Sequence, residues 1–141
     1  NVDSLHQRAG NTHVLELHGN ILRNRCYASG RIVEGDLPDG EPPPSPFVKG
    51  AFIRPDVVWF GEALPEDAFA RAVEVSRDAN VFFSVGTSSQ VEPAASLARL
   101  AASSGAQVIE INPDTTPLSG QADVVLRGSS AQILPQIMAA L

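Results

Sequence analysis

Five short segments of this sequence hold the groups able to do chemistry: His18-Gly19, Gly61-Glu62, Gly86-Thr87-Ser88-Ser89, Asn112-Pro113 and Gly128-Ser129-Ser130. Each stands at or just past the end of an apolar run. Glycine lets a ligand approach the main chain, and N–H groups beside hydroxyls hold phosphate or ribose oxygens. Together such turns describe a pocket suited to a nucleotide. Gly86-Thr87-Ser88-Ser89 is not a Walker loop, since no Gly-Lys-Ser/Thr follows, and it is not GxGxxG either. It reads as a phosphate-binding turn or as an ordinary turn with a helix N-cap. Asn112 stands where dinucleotide-binding folds place an acid that holds ribose hydroxyls. An amide can both donate and accept there, although asparagine before proline is also plain turn chemistry. His18 has the side chain of a general base at neutral pH; the alternative is a structural or exposed histidine. His6 and His13 lie in loop-like sequence. Glu16, two residues before His18, either orients it from the same face of a strand or is a strand-edge carboxylate.

The elements that must position these groups are legible from the apolar pattern. Val14–Leu17 reads as a short strand delivering His18, and Val57–Phe60 as a buried strand. Pro65-Glu66-Asp67 opens a helix with Ala68, Phe69, Ala72 and Val73 inward. Val81–Val85 is a second buried strand. A helix follows from Pro93, with Ala94, Leu97, Ala98 and Ala101 inward and Gly105 at its end. Val108–Ile111 and Ala122–Leu126 are further strands. The last helix carries Ile133, Leu134, Ile137, Met138 and Leu141. Alternating strands and helices predict an α/β fold with a parallel sheet covered by helices. Ligands then bind at the carboxyl ends of the strands, so Gly86, Ser88, Asn112 and Gly128 are expected to share one cleft. Pro38–Pro46, with six prolines or glycines in nine residues, cannot sustain a helix or a central strand.

Composition narrows the classes. The chain has 141 residues, 43% hydrophobic and 18% charged, which is globular rather than disordered. Its net charge is −6, and Lys49 is the single lysine among ten cationic residues. An acidic balance with no basic stripe argues against nucleic acid as the partner. No apolar run nears the ~20 residues that span a bilayer, so no membrane partner is expected. No secretory leader opens the chain, and the expected location is cytoplasmic. The lone Cys26 excludes an intrachain disulfide and a four-cysteine metal site.

Taken in order, these residues resemble the sirtuins, NAD-dependent protein-lysine deacylases. Asn1-Val2-Asp3-Ser4-Leu5-His6-Gln7-Arg8-Ala9-Gly10 is similar to the family's Gln-Asn-Ile-Asp-x-Leu-His-x-x-Ala-Gly segment without its first glutamine. Val14–Gly19 resembles the segment bearing the catalytic histidine. Arg54–Glu62 resembles the acyl-peptide-binding segment, Gly86–Pro93 the cofactor and substrate loop, and Ile111-Asn112-Pro113 the adenosine-ribose segment. The resemblance implies that Asn1 and Asp3 hold nicotinamide and its ribose. It makes His18 the general base on a ribose hydroxyl, and it gives phosphate and adenosine to Gly86, Thr87, Ser88, Asn112 and Ser130. Val58 and Phe60 would line the acyl-lysine tunnel. Gly61, Glu62 and Val91 would lie in segments flanking the substrate peptide. The implied reaction passes the acyl group to ADP-ribose and releases nicotinamide.

The implied fold is a partial Rossmann-like parallel sheet with a degenerate zinc-ribbon-like insertion. Residues 1–25 and 57–141 would form an incomplete NAD-binding domain, and 26–56 a loop-rich remnant. The family's glycine-rich cofactor loop precedes the segment that starts here at Asn1, so this chain alone is expected to be inactive. The family's zinc module uses two Cys-x-x-Cys pairs where only Cys26 stands, so no zinc is expected. The alternative function is a sirtuin-like module that binds NAD or ADP-ribose without turnover. Acyl preference, protein substrate and oligomeric state are not encoded legibly.

Overall fold

The structure is a computed structural model that describes residues 1–37 and 40–140. The chain divides into two compact units, with the boundary between Ala68 and Phe69.

In the first unit a single helical turn, α1 (Leu5–Arg8), precedes three strands, β1 (Gly19–Cys26), β2 (Ile32–Val33) and β3 (Ile53–Val57). They form an antiparallel sheet in the order β2-β1-β3. The sequence pattern does not predict this sheet, and the structure departs from it at two segments. Val14–Leu17 is not a strand: the Leu17 and Gly19 N–H groups donate back to Leu15 and Glu16 carbonyls at 3.1 and 3.2 Å, a turn rather than a ladder. His18 therefore precedes a strand instead of ending one. Val57–Phe60 is not a buried strand either. β3 ends at Val57, and Trp59 and Phe60 point outward, Phe60 being 95% exposed. A short apolar run looks the same whether it is buried or held out for a ligand. Pro55 is tolerated inside β3 because β3 is an edge strand. Gly19 lies opposite Val57 with φ +76°, and a Cβ there would stand 2.0 Å from the Asp56 carbonyl oxygen. Only glycine permits this approach.

Among the described residues, the chain between Cys26 and Ile53 is regular only at β2. It is tied back to the sheet by backbone bonds, Tyr27 N–H to Phe52 O and Ile53 N–H to Pro43 O, each at 2.9 Å. The Ser45 hydroxyl donates to the buried Cys26 Sγ at 3.0 Å. Pro38 and Asp39, which open the proline-rich stretch, lie outside the described residues.

In the second unit the sequence pattern is realised closely. Strands β4 (Val81–Val85), β5 (Gln107–Ile111) and β6 (Val124–Leu126) are parallel and adjacent in that order. Helix α2 (Glu66–Arg77) starts after Pro65 and runs across the boundary between the units. Helices α3 (Ser96–Ser103) and α4 (Ser130–Ala140) follow β4 and β6. The core joins Ala98 of α3 to Val108 of β5 and to Leu118, with Phe82 and Ala122 against them. β4 is less buried than expected, because it is a sheet edge on which Val81 and Phe83 remain partly exposed. On α4, Ile133 and Ile137 are half-buried while Leu134 and Met138 are exposed; Leu141 lies outside the described residues. No helix among the described residues is long and apolar enough to cross a membrane.

Candidate functional site

The parallel ladder of the second unit sends three loops out of one end of its sheet. Gly86 follows β4, Asn112 follows β5, and Gly128 lies two residues past β6. The loops are bonded to each other. Gly86 N–H donates to Ile111 O at 2.9 Å and Asn112 N–H to Leu126 O at 3.2 Å. The buried Asn112 side chain donates from Nδ2 to Thr87 O at 2.7 Å and accepts from Asp114 N–H at 3.1 Å. Gly86, Thr87, Asn112 and Gly128 thus share one rim, and Ser130 opens α4 two residues later. Ser88 is exposed in the tight turn between Thr87 and Ser89, where Ser89 has φ +53°.

The rim suits a ligand rich in phosphate and hydroxyl oxygens. Gly86 has φ +61°, and a Cβ built on it meets no atom within 4 Å. Its main chain is therefore open to close approach. Around it stand backbone N–H groups, two hydroxyls and the remaining valences of the Asn112 amide. Asn112 is less free than its type suggested, since one donor and one acceptor already fix the turn.

One cluster was missed. Glu110 of β5 is fully buried. Its carboxylate accepts from the Thr116 hydroxyl, from Ser119 Oγ at 2.5 Å and from Arg127 Nη1 at 3.3 Å. Arg127 also donates to Asp114 O at 2.6 Å and to Ser119 Oγ at 2.9 Å. This network holds the chain from Asn112 to Ser119 against the rim. The signal was present in the sequence: an acid inside the apolar run Val108–Ile111 needs buried partners.

In the first unit, Asn1 is exposed, and Asp3 Oδ1 accepts the Leu5 N–H at 3.0 Å, capping α1. His18 is half-buried in the turn before β1, and its carbonyl accepts the Val58 N–H at 3.0 Å. Glu16 does not orient its imidazole. The Glu16 carboxylate accepts instead from Gln7 at 2.7 Å, Asn20 at 2.6 Å and Arg23 at 2.8 Å. Burial pulls the Glu16 pKa up, but the bonds from Asn20 and Arg23 outweigh it and hold the group below its ordinary range. Asn20 also bonds Ser4 Oγ at 2.5 Å, so the first residues, the His18 turn and β1 are cross-tied.

After β3, Val58 is half-buried, and Trp59–Glu62 is a closed turn. Glu62 N–H donates to Trp59 O at 3.0 Å, and Glu62 Oε2 accepts the Trp59 N–H at 3.1 Å. Arg54 at 2.5 Å and Arg25 at 3.3 Å also reach Glu62 Oε2. Asp56 pairs with Arg23 at 2.6 Å and Arg25 at 3.6 Å. A depression of about 400 Å³, lined by Glu16, Gly19, Arg23, Arg25 and Asp56 among others, sits over these ion pairs; of the segments singled out in the sequence it takes in Glu16 and Gly19 but not His18. Val91 belongs to the second unit, exposed in the turn before α3. Among the described residues no group of three or more His, Cys, Asp or Glu is placed to hold a metal.

Residues 1–93 match the model of the Sir2 family. The chain is 49% identical over 138 residues to an NAD-dependent protein deacylase of Aquifex aeolicus, covering 97% of this chain and 58% of that protein. It is 50% identical over 134 residues to an NAD-dependent protein deacylase of Thermus thermophilus, covering 94% of this chain and 52% of the relative. Among solved structures, a Sir2 homologue in complex with NAD superposes with a TM-score of 0.92 at 39% identity, covering 99% of this chain and 55% of that one. A Sir2 complex with a p53 peptide and NAD+ gives 0.90 at 31% identity, covering 99% and 60%. The chain thus spans a little over half the length of the curated relatives it matches.

Proposed function

The chain belongs to the Sir2 (sirtuin) family, and from that premise we propose that it supplies the general base, the acyl-peptide loop and part of the dinucleotide rim of an NAD-dependent protein-lysine deacylase. The observation that carries this reading is the rim at the carboxyl ends of β4, β5 and β6, where Gly86, Thr87, Asn112 and Gly128 are bonded together beside an open glycine main chain. NAD, when bound, supplies the ribose that accepts the acyl group as nicotinamide leaves. Gly86, Thr87, Ser88, Asn112 and Ser130 bind its phosphate and adenosine end. Asn1 and Asp3 serve the nicotinamide ribose; Asp3 spends only Oδ1 on α1. His18 takes the proton from a ribose hydroxyl. Its position is fixed through its own carbonyl, which leaves the ring for chemistry.

The substrate in this reading is an acyl-lysine peptide. Val58 and Phe60 shield the acyl chain from water, which would otherwise capture the activated sugar. Gly61, Glu62 and Val91 lend main chain to an extended peptide. Sir2 structures holding a p53 peptide and a propionylated peptide support that substrate class. Cytoplasmic residence belongs to the same reading, consistent with the single free thiol.

The test is His18 replacement in the complete enzyme, read as NAD-dependent nicotinamide release with an acetyl-lysine peptide. His18→Ala and His18→Gln are expected to lower turnover by ~10²–10⁴, the usual cost of losing a general base. NAD affinity should stay within a few-fold, because the phosphate and adenosine contacts lie elsewhere. His6→Ala and His13→Ala should retain most activity. Full turnover by His18→Gln would overturn the assignment.

A further inference from the structure

We propose that Glu62 and Arg54 are positioning residues: their ion pair latches the Trp59–Glu62 turn and so sets the affinity of the loop for its peptide. This rests on the acyl-peptide reading above and assigns Glu62 a different task from touching the substrate with its carboxylate.

One carboxylate oxygen, Glu62 Oε2, gathers three donors from three places in the chain. The Trp59 N–H reaches it at 3.1 Å from within the turn, Arg54 Nη2 at 2.5 Å from β3 and Arg25 Nη2 at 3.3 Å from β1. Arg54 Nη2 also donates to Val57 O at 3.1 Å, where the strand gives way to the loop. The Arg54 guanidinium lies 4.9 Å from the Trp59 ring centroid and 5.5 Å from that of Tyr27. Charge-assisted bonds of this kind are about twice as strong as neutral ones. The main chain of the turn is thus fixed from beneath, while Trp59 and Phe60 above it are left exposed. A loop that recognises an extended peptide through its main chain gains affinity when its ordering is already done. The hydrogen bond from Arg54 also keeps Glu62 below the ordinary glutamate value of 4.5. The other charge facing it is Arg25, which is shared with Asp56.

Trp59 is the only tryptophan, so its emission reports this turn directly. The experiment compares the chain with its Glu62→Gln and Arg54→Lys variants, each checked for a native far-UV spectrum. Trp59 anisotropy is read without ligand in the chain, and an acetyl-lysine peptide is then titrated against its unacylated control in the complete enzyme carrying the same substitutions. Both variants should lower Trp59 anisotropy and weaken the peptide by about tenfold, equivalent to about 1.4 kcal/mol. In the native chain, acidification should release Trp59 only below pH 4.5, and Glu62→Gln should show no such step. Arg25→Gln, which removes the longest of the three bonds, should give a smaller effect of the same sign and serves if a stronger variant does not fold. A complete enzyme that binds the peptide, with variants unchanged in anisotropy and affinity, overturns the latch. Lowered anisotropy with unchanged affinity overturns the positioning role. No saturable response of the complete enzyme to the acylated peptide overturns the peptide reading itself, together with the role built on it.

Discussion

Two glycines that look alike in the sequence do opposite work. Gly19 and Gly86 both have positive φ, +76° and +61°, and both adjoin a proposed functional residue. At Gly19 a methyl group would lie 2.0 Å from the Asp56 carbonyl, a backbone atom that cannot move without parting β1 from β3. At Gly86 it would meet nothing. Gly19→Ala is therefore expected to cost about 3 kcal/mol or more, in the range reserved for overpacking and backbone strain. Gly86→Ala should cost only the ~1–2 kcal/mol of left-handed backbone, yet it should lower ADP-ribose affinity by more than tenfold, because the methyl group occupies the approach to the main chain. Urea midpoints and calorimetric titration separate the two. A Gly19→Ala protein as stable as the native one would disprove the close approach. At this scale the sequence reveals type but not partnership. His18, Asn112 and Glu62 were picked out by type and place. That Asn112 fixes its own turn, that Glu62 gathers bonds from Arg54, Arg25 and the Trp59 N–H, and that Glu16 answers to Gln7, Asn20 and Arg23 are facts of three-dimensional neighbourhood.

Strands and helices were legible where a local rule decides them. Pro65 with two acids starts α2, Gly105 ends the α3 segment, and apolar runs between helices make β4 and β5. The first unit obeys no such rule. Its strands pair residues far apart in the chain, the register shifts between Asn20 and Asn24, and β3 carries Arg54, Pro55 and Asp56. None of these has the look of a strand until the partner is known. β5 shows how an element can hide its most consequential residue. Glu110 faces no solvent and depends on Thr116, Ser119 and Arg127. Glu110→Ala strands two hydroxyls and a guanidinium around a cavity, and should cost about 3 kcal/mol. Arg127→Ala removes a partner that is 39% exposed and leaves both hydroxyls on the carboxylate, so about 1–2 kcal/mol is expected. Both should also weaken ADP-ribose, since the Asn112–Ser119 chain loses its anchor. The order of the two urea midpoints checks the argument, and Arg127→Ala proving the more damaging would refute it.

Over the whole chain, the ordered set of turns makes the family legible in the sequence, because each turn carries its chemistry in a few contiguous residues. The stretch from Cys26 to Ile53 offered no such signal, since its order comes from scattered pairs. The Ser45 hydroxyl meets Cys26 Sγ at 3.0 Å, Arg31 stacks over Phe47 at 3.9 Å, and Arg54 lies over Tyr27. Backbone bonds from Tyr27 to Phe52 and from Ile53 to Pro43 close the segment onto the sheet. Hydrogen bonds from Ser29 and Ser45 hold the Cys26 thiol down to about 7, as hydroxyl donors to sulfur should. We propose that these contacts do the cross-linking that a tetrahedral zinc with four thiolates would otherwise do. If so, folding here owes nothing to metal, whereas a true zinc module loses its fold with its ion. Incubating the purified protein with a strong zinc chelator should leave the melting temperature and far-UV spectrum unchanged, and elemental analysis should find no stoichiometric zinc. Phe47→Ala should lower the melting temperature whether or not chelator is present, because the Arg31 stack is then lost. Stoichiometric zinc, or a chelator-dependent fall in melting temperature, would show that the segment is held by an ion and not by these pairs.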